Sequence, residues 1–555
     1  MSAAEPADSQ ERVLASSAVM AAGTVVSRLS GFVRSTLLVA ALGVSLHADV
    51  FTIANTIPNM LYILLAGGVF NAVLVPQLVR AMKNDPDGGE AYTNRVMTLA
   101  GLFLAVVTVL LVVAAPLVMA LMLNEQFGDA GLAKQRQSAV DFARYCLPQV
   151  FFYGMFVLVG QVLNARGRFG PMMWAPIANN VISVAVLVAY LLTFGPATAE
   201  EQVGPFSTGQ ELLLGLGSTL GIVAQFVILL PYLRAAGFHY RPRFDFRGTG
   251  LGHTLRLGIW TVLFVIVNQV AYVVVVRLAS GGTAGGGDGT GITIYSNAFL
   301  IVMVPHSIIT VSLATAILPR LSRLAADGDL PGVSRNLAST LRAALAVILP
   351  FAALLPVIAE DVSNLIWGHG AAADSFDRYV PTLSLFGAGL LLFTVHYLML
   401  RGFYALEDTR TVFLIQCAVG GTNIAMAVLL VTQTDAEHTS PALVLAYTAA
   451  YLVGSLLSYG VLRGRLGGLE TPALLGFVGR LVVAVGFATT VALLVATGLH
   501  ALVDEPHWAV AAGMAVVVTL VDGVVFVVLA RALQLREVTA VLGTVTRRLA
   551  RTREA

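Results

Sequence analysis

The sequence predicts an all-α polytopic membrane protein with about 14 transmembrane helices, arranged as two parallel six-helix lobes around a central cavity plus two C-terminal helices. Hydrophobic residues make up 57% of the 555 residues and charged residues only 12%, whereas about a quarter of a typical soluble domain is charged. Apolar windows of about 20 residues, the length that crosses a bilayer, recur along the whole chain. Short sequence segments and single polar residues of the first half also recur in similar form and in the same order about 240 residues later. This recurrence favours an internal repeat.

The apolar windows define the elements in chain order. The polar segment Met1–Arg12 lacks the basic region and cleavage site of a secretory signal, so the first window is expected to remain as a transmembrane helix. Cys146 and Cys417 lie inside apolar windows, and a disulfide framework is therefore not expected. The fourteen predicted helices are centred near residues 28, 65, 108, 152, 184, 222, 265, 304, 347, 391, 421, 451, 487 and 520.

The distribution of basic residues predicts the topology. When both termini are placed in the cytoplasm, 26 of the 33 Lys and Arg residues fall in the terminal segments or the even-numbered connections. Cytoplasmic loops of membrane proteins carry such an excess of Lys and Arg. We therefore expect a multi-pass protein with an even number of helices and with both termini in the cytoplasm.

The recurring landmarks predict two homologous halves. The segment Leu74–Arg80 resembles Ile317–Arg323 at an offset of 243 residues, and Arg34 is followed by Arg277 at the same offset. An even number of helices separates the landmarks, so the halves share one orientation, and parallel repeats of this kind enclose a cavity that opens to alternate sides. The predicted parts are a cytoplasmic tail (1–14), an N-lobe of helices 1–6 (15–238), a C-lobe of helices 7–12 (239–466), accessory helices 13 and 14 (467–534) and a basic cytoplasmic tail (535–555).

Arg28 and Arg34 lie inside the first apolar window, Ala15–Gly43. A charged side chain is costly in a bilayer unless it faces a polar cavity or a partner, and guanidinium groups bind phosphate oxygens in a bidentate manner. Two residues that are six positions apart on a helix are separated by about 9 Å along the axis and about 120° around it. One ligand could therefore contact both arginines only if the helix bends or their long side chains converge. We expect substrate binding by both arginines, with snorkelling to an interface as the alternative.

Further polar or helix-bending residues are candidates for a gate or a cavity lining. Asp49 could pair with an arginine when an outer gate closes, or could stabilise a helix N-terminus. The proline and glycine candidates could bend helices or allow close packing. The amide candidates could form hydrogen bonds between helices. The candidates in loops could belong to ordinary solvated turns. Arg277 could instead be an anchor at the outer interface. The candidates are Asp49, Pro58, Asn59, Gly67, Gly68, Arg166, Arg168, Asn268, Gln269, Arg277, Glu407, Asp408 and Arg410.

Several short motifs occur in a characteristic order along the chain. They are SRLSGFVR (27–34), ADVF (48–51), IPN (57–59), GGVF (67–70), VP (75–76), NARGRF (164–169), AILP (316–319) and GFYALEDT (402–409). This set resembles the MurJ/MviN family of lipid II flippases, which belongs to the multidrug/oligosaccharidyl-lipid/polysaccharide exporter superfamily. The resemblance covers nearly the whole chain and implies the same fourteen helices.

The resemblance implies transport of lipid II, an undecaprenyl-pyrophosphate-linked disaccharide pentapeptide, from the inner to the outer leaflet of a bacterial cytoplasmic membrane for peptidoglycan synthesis. The implied partners are lipid II and membrane lipids, with proteins of peptidoglycan synthesis or cell division as further candidates, and no nucleic acid. The residues leave two alternatives open. One is export of another polyprenyl-linked oligosaccharide or an amphipathic drug, and the other is a non-transporting scaffold for cell-wall synthesis.

The sequence departs from the family pattern at two places and carries no recognisable catalytic motif. No arginine follows Pro58 in helix two, and helix eight lacks an acid and arginine pair, so phosphate binding would depend more on Arg28 and Arg34. Neither a metal nor a cofactor is expected, since Gly281–Gly291 lacks the ending of a phosphate loop and no metal-ligand spacing is apparent. The windows near 265, 421 and 451 contain no carboxylate for a sodium site, which leaves the membrane potential or a proton on Asp49 as candidate driving forces.

Overall fold

The computed structural model describes residue 23 and residues 26–65, 75–245, 251–503 and 506–539. These residues form helices and connections without any β-strand, which confirms the predicted all-α class. The α-helices, numbered in chain order, are α1 (26–42), α2 (Leu46–Ile63), α3 (Val75–Asn84), α4 (Glu90–Val113), α5 (Ala115–Met122), α6 (Ala133–Cys146), α7 (Gln149–Ala165), α8 (Gly170–Phe194), α9 (Thr208–Val227), α10 (Leu229–Ala235), α11 (Leu251–Ala284), α12 (Ile292–Pro305), α13 (Val311–Ala326), α14 (Leu330–Trp367), α15 (Tyr379–Ala405), α16 (Thr409–Val431), α17 (Thr439–Arg465), α18 (Thr471–His500) and α19 (Trp508–Ala532).

Twelve segments of the described chain are long and apolar enough to cross a membrane. They coincide with the last twelve predicted helices, and three of them, Ala130–Ala165, Thr208–Ala235 and Ile292–Ala326, combine consecutive helices. The first two predicted helices fall on α1 and on α2 with the residues after it, of which 66–74 lie outside the described ranges. The polytopic membrane class is therefore confirmed, and the count of fourteen stays a prediction.

Polar side chains in the connections define several helix starts. Ser207 begins α9 with a capping box, in which the Ser207 backbone N–H donates to Gln210 Oε1 at 2.9 Å and the Gln210 N–H donates to Ser207 Oγ. Asp329 and Asp408 accept backbone N–H groups in the first turns of α14 and α16. Each cap satisfies an N–H group that has no partner within the helix, and is worth about 1 kcal/mol.

The described residues form two compact units, with the boundary between Gly286 and Gly287. In the first unit α2 packs against α6, α7 and α11, while α8 packs against α9. A cluster of buried apolar side chains, including Phe156, Leu158 and Phe238, joins α7 to the residues that follow α10. Helix α11 belongs to the first unit, whereas the predicted lobe boundaries, which rest on the sequence repeat, stay predictions.

In the second unit α15 packs against α14 and α17, and α16 packs against α17. The predicted accessory helices α18 and α19 pack against each other and against α14, with Leu354, Ala492 and Val518 in a shared apolar core. A π-helical turn, His306–Thr310, joins α12 to α13 directly after Pro305. Proline removes a backbone donor, so the irregular turn lies where the regular hydrogen-bond ladder is interrupted.

Candidate functional site

The first unit contains a small pocket beside Arg34, with a volume of about 20 Å³. Side chains of α1, α2, α8 and α9 form its wall. The polar side chains of the lining are Arg34, Asn55, Ser183 and Ser218, with no carboxylate among the described residues that form it. Its apolar members are Leu38, Phe51, Val186, Leu187 and Leu214. Because an arginine stays protonated in proteins, this pocket favours an anionic group that accepts hydrogen bonds.

Neutral hydrogen-bonding side chains of α7 support this pocket. Gln149 Nε2 donates to Asn55 Oδ1 at 3.1 Å, and Gln149 is buried. The ring centroid of Tyr153, one turn further along α7, lies 4.8 Å from that of Tyr62. Asn55 and Gln149 were not among the residues predicted from the sequence, although an amide side chain in or beside an apolar window is a signal that could have identified them.

Arg28 lies on the same helix as Arg34 but does not line the pocket. Its side chain is exposed. Asn180 Nδ2 of α8 donates to the Ser27 carbonyl and to Ser30 Oγ, both at 2.9 Å, and this fixes the Arg28 turn of α1 against α8. The different surroundings of the two arginines agree with the angle of about 120° between helical positions six residues apart.

Asp49 is fully buried in the first turn of α2. Thr283 Oγ1, at the end of α11, donates to Asp49 Oδ2 at 2.8 Å. The position is also favourable for a carboxylate because the dipole of α2 places positive potential at its N-terminus. In this structure Asp49 therefore links α2 to α11 within the first unit.

The remaining candidates on helix two have different surroundings. Pro58 is buried inside α2, and the adjacent Asn59 is exposed. Gly67 and Gly68 lie outside the described residues. The hinge role suggested by these residues stays a prediction.

The two amides predicted on helix seven lie on α11 and are half-buried. Asn268 Nδ2 donates to the Phe264 carbonyl, one turn earlier, at 3.0 Å. Gln269 is the next residue along the helix. Neither side chain belongs to the Arg34 pocket, and their proposed contact with a cavity stays a prediction.

Arg277 binds the end of a neighbouring helix. Its Nη1 donates to the carbonyl oxygens of Ala120, Leu121 and Leu123 at 2.9, 3.3 and 2.7 Å. These carbonyls lie at the C-terminus of α5, where backbone acceptors lack helical partners and the helix dipole favours a cation. Arg277 therefore caps α5 and attaches α11 to it.

Replacement of Arg277 by alanine is expected to destabilise the first unit by about 2 kcal/mol, since several charge-assisted hydrogen bonds are lost. A thermal melt of the purified protein in detergent should show a lower midpoint, with Arg277→Lys in between. Arg234→Ala, at the exposed end of α10, is the matched control and should leave the midpoint unchanged. An unaltered midpoint for Arg277→Ala would contradict the capping role.

In the first unit, Arg166 attaches the turn after α7 to the end of α10. Its Nη1 donates to the Ala236 carbonyl at 3.0 Å, and its guanidinium carbon lies 5.1 Å from the centroid of the Phe238 ring. Arg168, in the same turn, is exposed. The structure therefore gives Arg166 a packing contact and leaves Arg168 accessible.

In the second unit, Asp408 has a comparable role in the turn before α16. It accepts the Thr411 backbone N–H at 3.2 Å and forms an ion pair with Arg465 at the end of α17. Glu407 and Arg410 on either side are exposed, and Glu407 has a left-handed backbone with φ of 57°. Both turns are thus connected to a later helix of their own unit.

The arrangement of helices matches solved structures of membrane proteins. The fold matches an inward-facing multidrug resistance MATE family transporter of the MOP superfamily with a TM-score of 0.61 at 16% identity, covering 80% of this chain and 96% of that one. It matches a lipid II flippase MurJ in an inward closed conformation with a TM-score of 0.69 at 16% identity, covering 92% and 97%. At these identities the likenesses show the fold alone.

The sequence model of the family described as lipid II flippase MurJ matches residues 38–518. The chain belongs to the MurJ family, as its motifs predicted. A probable lipid II flippase MurJ of Haemophilus influenzae is 27% identical over 401 residues, which are 70% of this chain and 75% of the relative. The lipid II flippase MurJ of Burkholderia cenocepacia is 27% identical over 422 residues, with 74% and 75% covered.

Proposed function

We propose that this protein moves lipid II from the inner to the outer leaflet by alternating access. The observation that carries the proposal is the family match over residues 38–518. The pocket beside Arg34, lined by a cation and neutral polar groups without a carboxylate, supports the same substrate, because lipid II carries a diphosphate. A cationic drug would be repelled by such a lining.

The chemistry of the proposed transport requires binding and release only. A diphosphate that leaves water needs cations or donors, and the planar guanidinium of Arg34 can offer two parallel N–H groups to its oxygens. Arg28, on an exposed part of α1, is proposed as a second contact. The polyprenyl chain can stay in the bilayer while the head group crosses, and no covalent bond forms or breaks.

We also propose a location and orientation. The excess of Arg and Lys in the termini and even-numbered connections supports a bacterial cytoplasmic membrane with both termini on the cytoplasmic side. Membrane lipids would then surround the protein. Proteins of peptidoglycan synthesis or cell division are candidate partners in the same membrane.

Depletion of the protein in a bacterium that has no other lipid II flippase tests the proposal. We expect lipid II to accumulate in the inner leaflet, where an enzyme added outside the cell and able to cleave lipid II cannot reach it. Re-expression of the wild-type chain should restore cleavage. Normal cleavage after complete depletion would contradict transport and favour the scaffold alternative.

A further inference from the structure

Arg401 is a charged residue in a membrane-spanning helix that the function described above does not use. It lies on α15, one turn before the end of the helix, and is partly buried. Its guanidinium carbon lies 4.2 Å from the centroid of the Tyr397 ring and 5.5 Å from that of Tyr404. A charge inside a membrane-spanning helix is costly unless something compensates it.

The described residues offer Arg401 aromatic rings but no carboxylate within ion-pair distance. Its Nε is buried without a hydrogen-bond partner, whereas its terminal nitrogens are neither buried nor hydrogen-bonded to a described residue. The cation–π contact with the Tyr397 ring supplies part of the compensation. The two terminal nitrogens are left open to a ligand.

The neighbouring phenols add further donors on the same helix face. Tyr397, Arg401 and Tyr404 occupy positions i, i+4 and i+7, which lie on one side of a helix. Neither phenol hydroxyl is bonded to a described residue, and neither is fully buried. Three donor groups without a hydrogen bond from these atoms to a described residue, one of them charged, therefore lie on one face of a candidate membrane span.

We propose that Tyr397, Arg401 and Tyr404 form an anion site for the diphosphate of a polyprenyl lipid. The proposal rests on the proposed function and adds a site in the second unit to the pocket beside Arg34. A guanidinium can donate two parallel N–H groups to diphosphate oxygens, and the phenols can donate to the remaining oxygens.

Binding measurements on the purified protein in detergent test this site. The probes are undecaprenyl diphosphate, the uncharged undecaprenol and inorganic pyrophosphate. We expect Arg401→Ala to bind undecaprenyl diphosphate about tenfold or more weakly than wild type, the factor that a charge-assisted hydrogen bond contributes. Arg401→Lys should lie in between, because a lysine keeps the charge but not the planar pair of donors.

The double variant Tyr397→Phe with Tyr404→Phe keeps both rings and removes only the hydroxyls. We expect it to bind undecaprenyl diphosphate several-fold more weakly, while its thermal midpoint without ligand stays at the wild-type value. Arg463→Ala, an exposed arginine at the end of α17, is the matched control and should bind as wild type does.

The outcomes separate this site from the proposed function. Wild-type affinity in Arg401→Ala and in the double tyrosine variant would overturn the site and leave transport of lipid II intact. Equal affinity of wild type for inorganic pyrophosphate and for undecaprenyl diphosphate would overturn its assignment to a lipid. A wild-type protein that binds undecaprenol as tightly as undecaprenyl diphosphate would contradict both the site and a diphosphate substrate.

Discussion

Replacement of Arg34 by alanine is expected to reduce lipid II transport about 10- to 100-fold. Arg34 is the only charged side chain in the lining of the described pocket, and a hydrogen bond to a charged group contributes about 1.5–3 kcal/mol. Within the described pocket, loss of the guanidinium would leave a diphosphate with the neutral polar groups of Asn55, Ser183 and Ser218. Complementation of a depleted strain, read as the fraction of lipid II that reaches the outer leaflet, measures the effect.

Two variants make this result specific to the guanidinium. Arg34→Lys keeps the charge and should retain intermediate transport, because a lysine lacks the paired donors. Arg234→Ala removes an exposed arginine far along the sequence at the end of α10 and should transport as wild type does. Membrane levels of each variant, measured by immunoblot, show that a loss of transport is not a loss of protein. Full transport by Arg34→Ala would remove Arg34 from the proposed site.

Replacement of Asp49 by alanine is expected to lower the free energy of unfolding by about 2 kcal/mol or more. The fully buried carboxylate accepts the Thr283 hydroxyl at 2.8 Å, and a hydrogen bond to a charged group is worth about 1.5–3 kcal/mol. The alanine variant also leaves the buried Thr283 hydroxyl without its acceptor. A denaturant or thermal melt of the purified protein in detergent measures the loss.

Thr283→Val provides the second half of a double-mutant cycle. It keeps the shape of the side chain and removes the donor, so the buried carboxylate loses one of its bonds. Both single variants should have a lower free energy of unfolding than wild type. The loss in the double variant Asp49→Ala with Thr283→Val should be smaller than the sum of the two single losses. Additive losses would mean that the hydrogen bond between Asp49 and Thr283 contributes no interaction energy to the stability of the protein.

The hydrophobic pattern predicted most of the fold because a membrane span has a minimum apolar length. The twelve spans of the described residues coincide with twelve predicted windows. The pattern did not predict α5 as a separate short helix, since Ala115–Met122 is apolar and continues the window of α4. Nor did it indicate the π-helical turn His306–Thr310, which depends on local backbone geometry.

The candidate site was only partly predictable because tertiary contacts decide what each polar residue does. The sequence predicted substrate binding for both Arg28 and Arg34, whereas of the two only Arg34 lines the described pocket. Arg277 proved to cap α5, and that contact joins residues more than 150 positions apart, which no local pattern indicates. The bond between Gln149 and Asn55 likewise joins two different helices.

Transport by the purified protein in lipid vesicles tests the central claim most directly. Vesicles that contain lipid II in both leaflets are prepared with wild-type protein, with Arg34→Ala protein or without protein, and an enzyme added outside cleaves the lipid II that it can reach. The claim predicts that wild-type protein raises the cleaved fraction beyond the outer-leaflet share, that Arg34→Ala protein does so about 10- to 100-fold more slowly, and that vesicles without protein stop at that share. A wild-type preparation that also stops there, although the protein is folded and inserted, would contradict the claim.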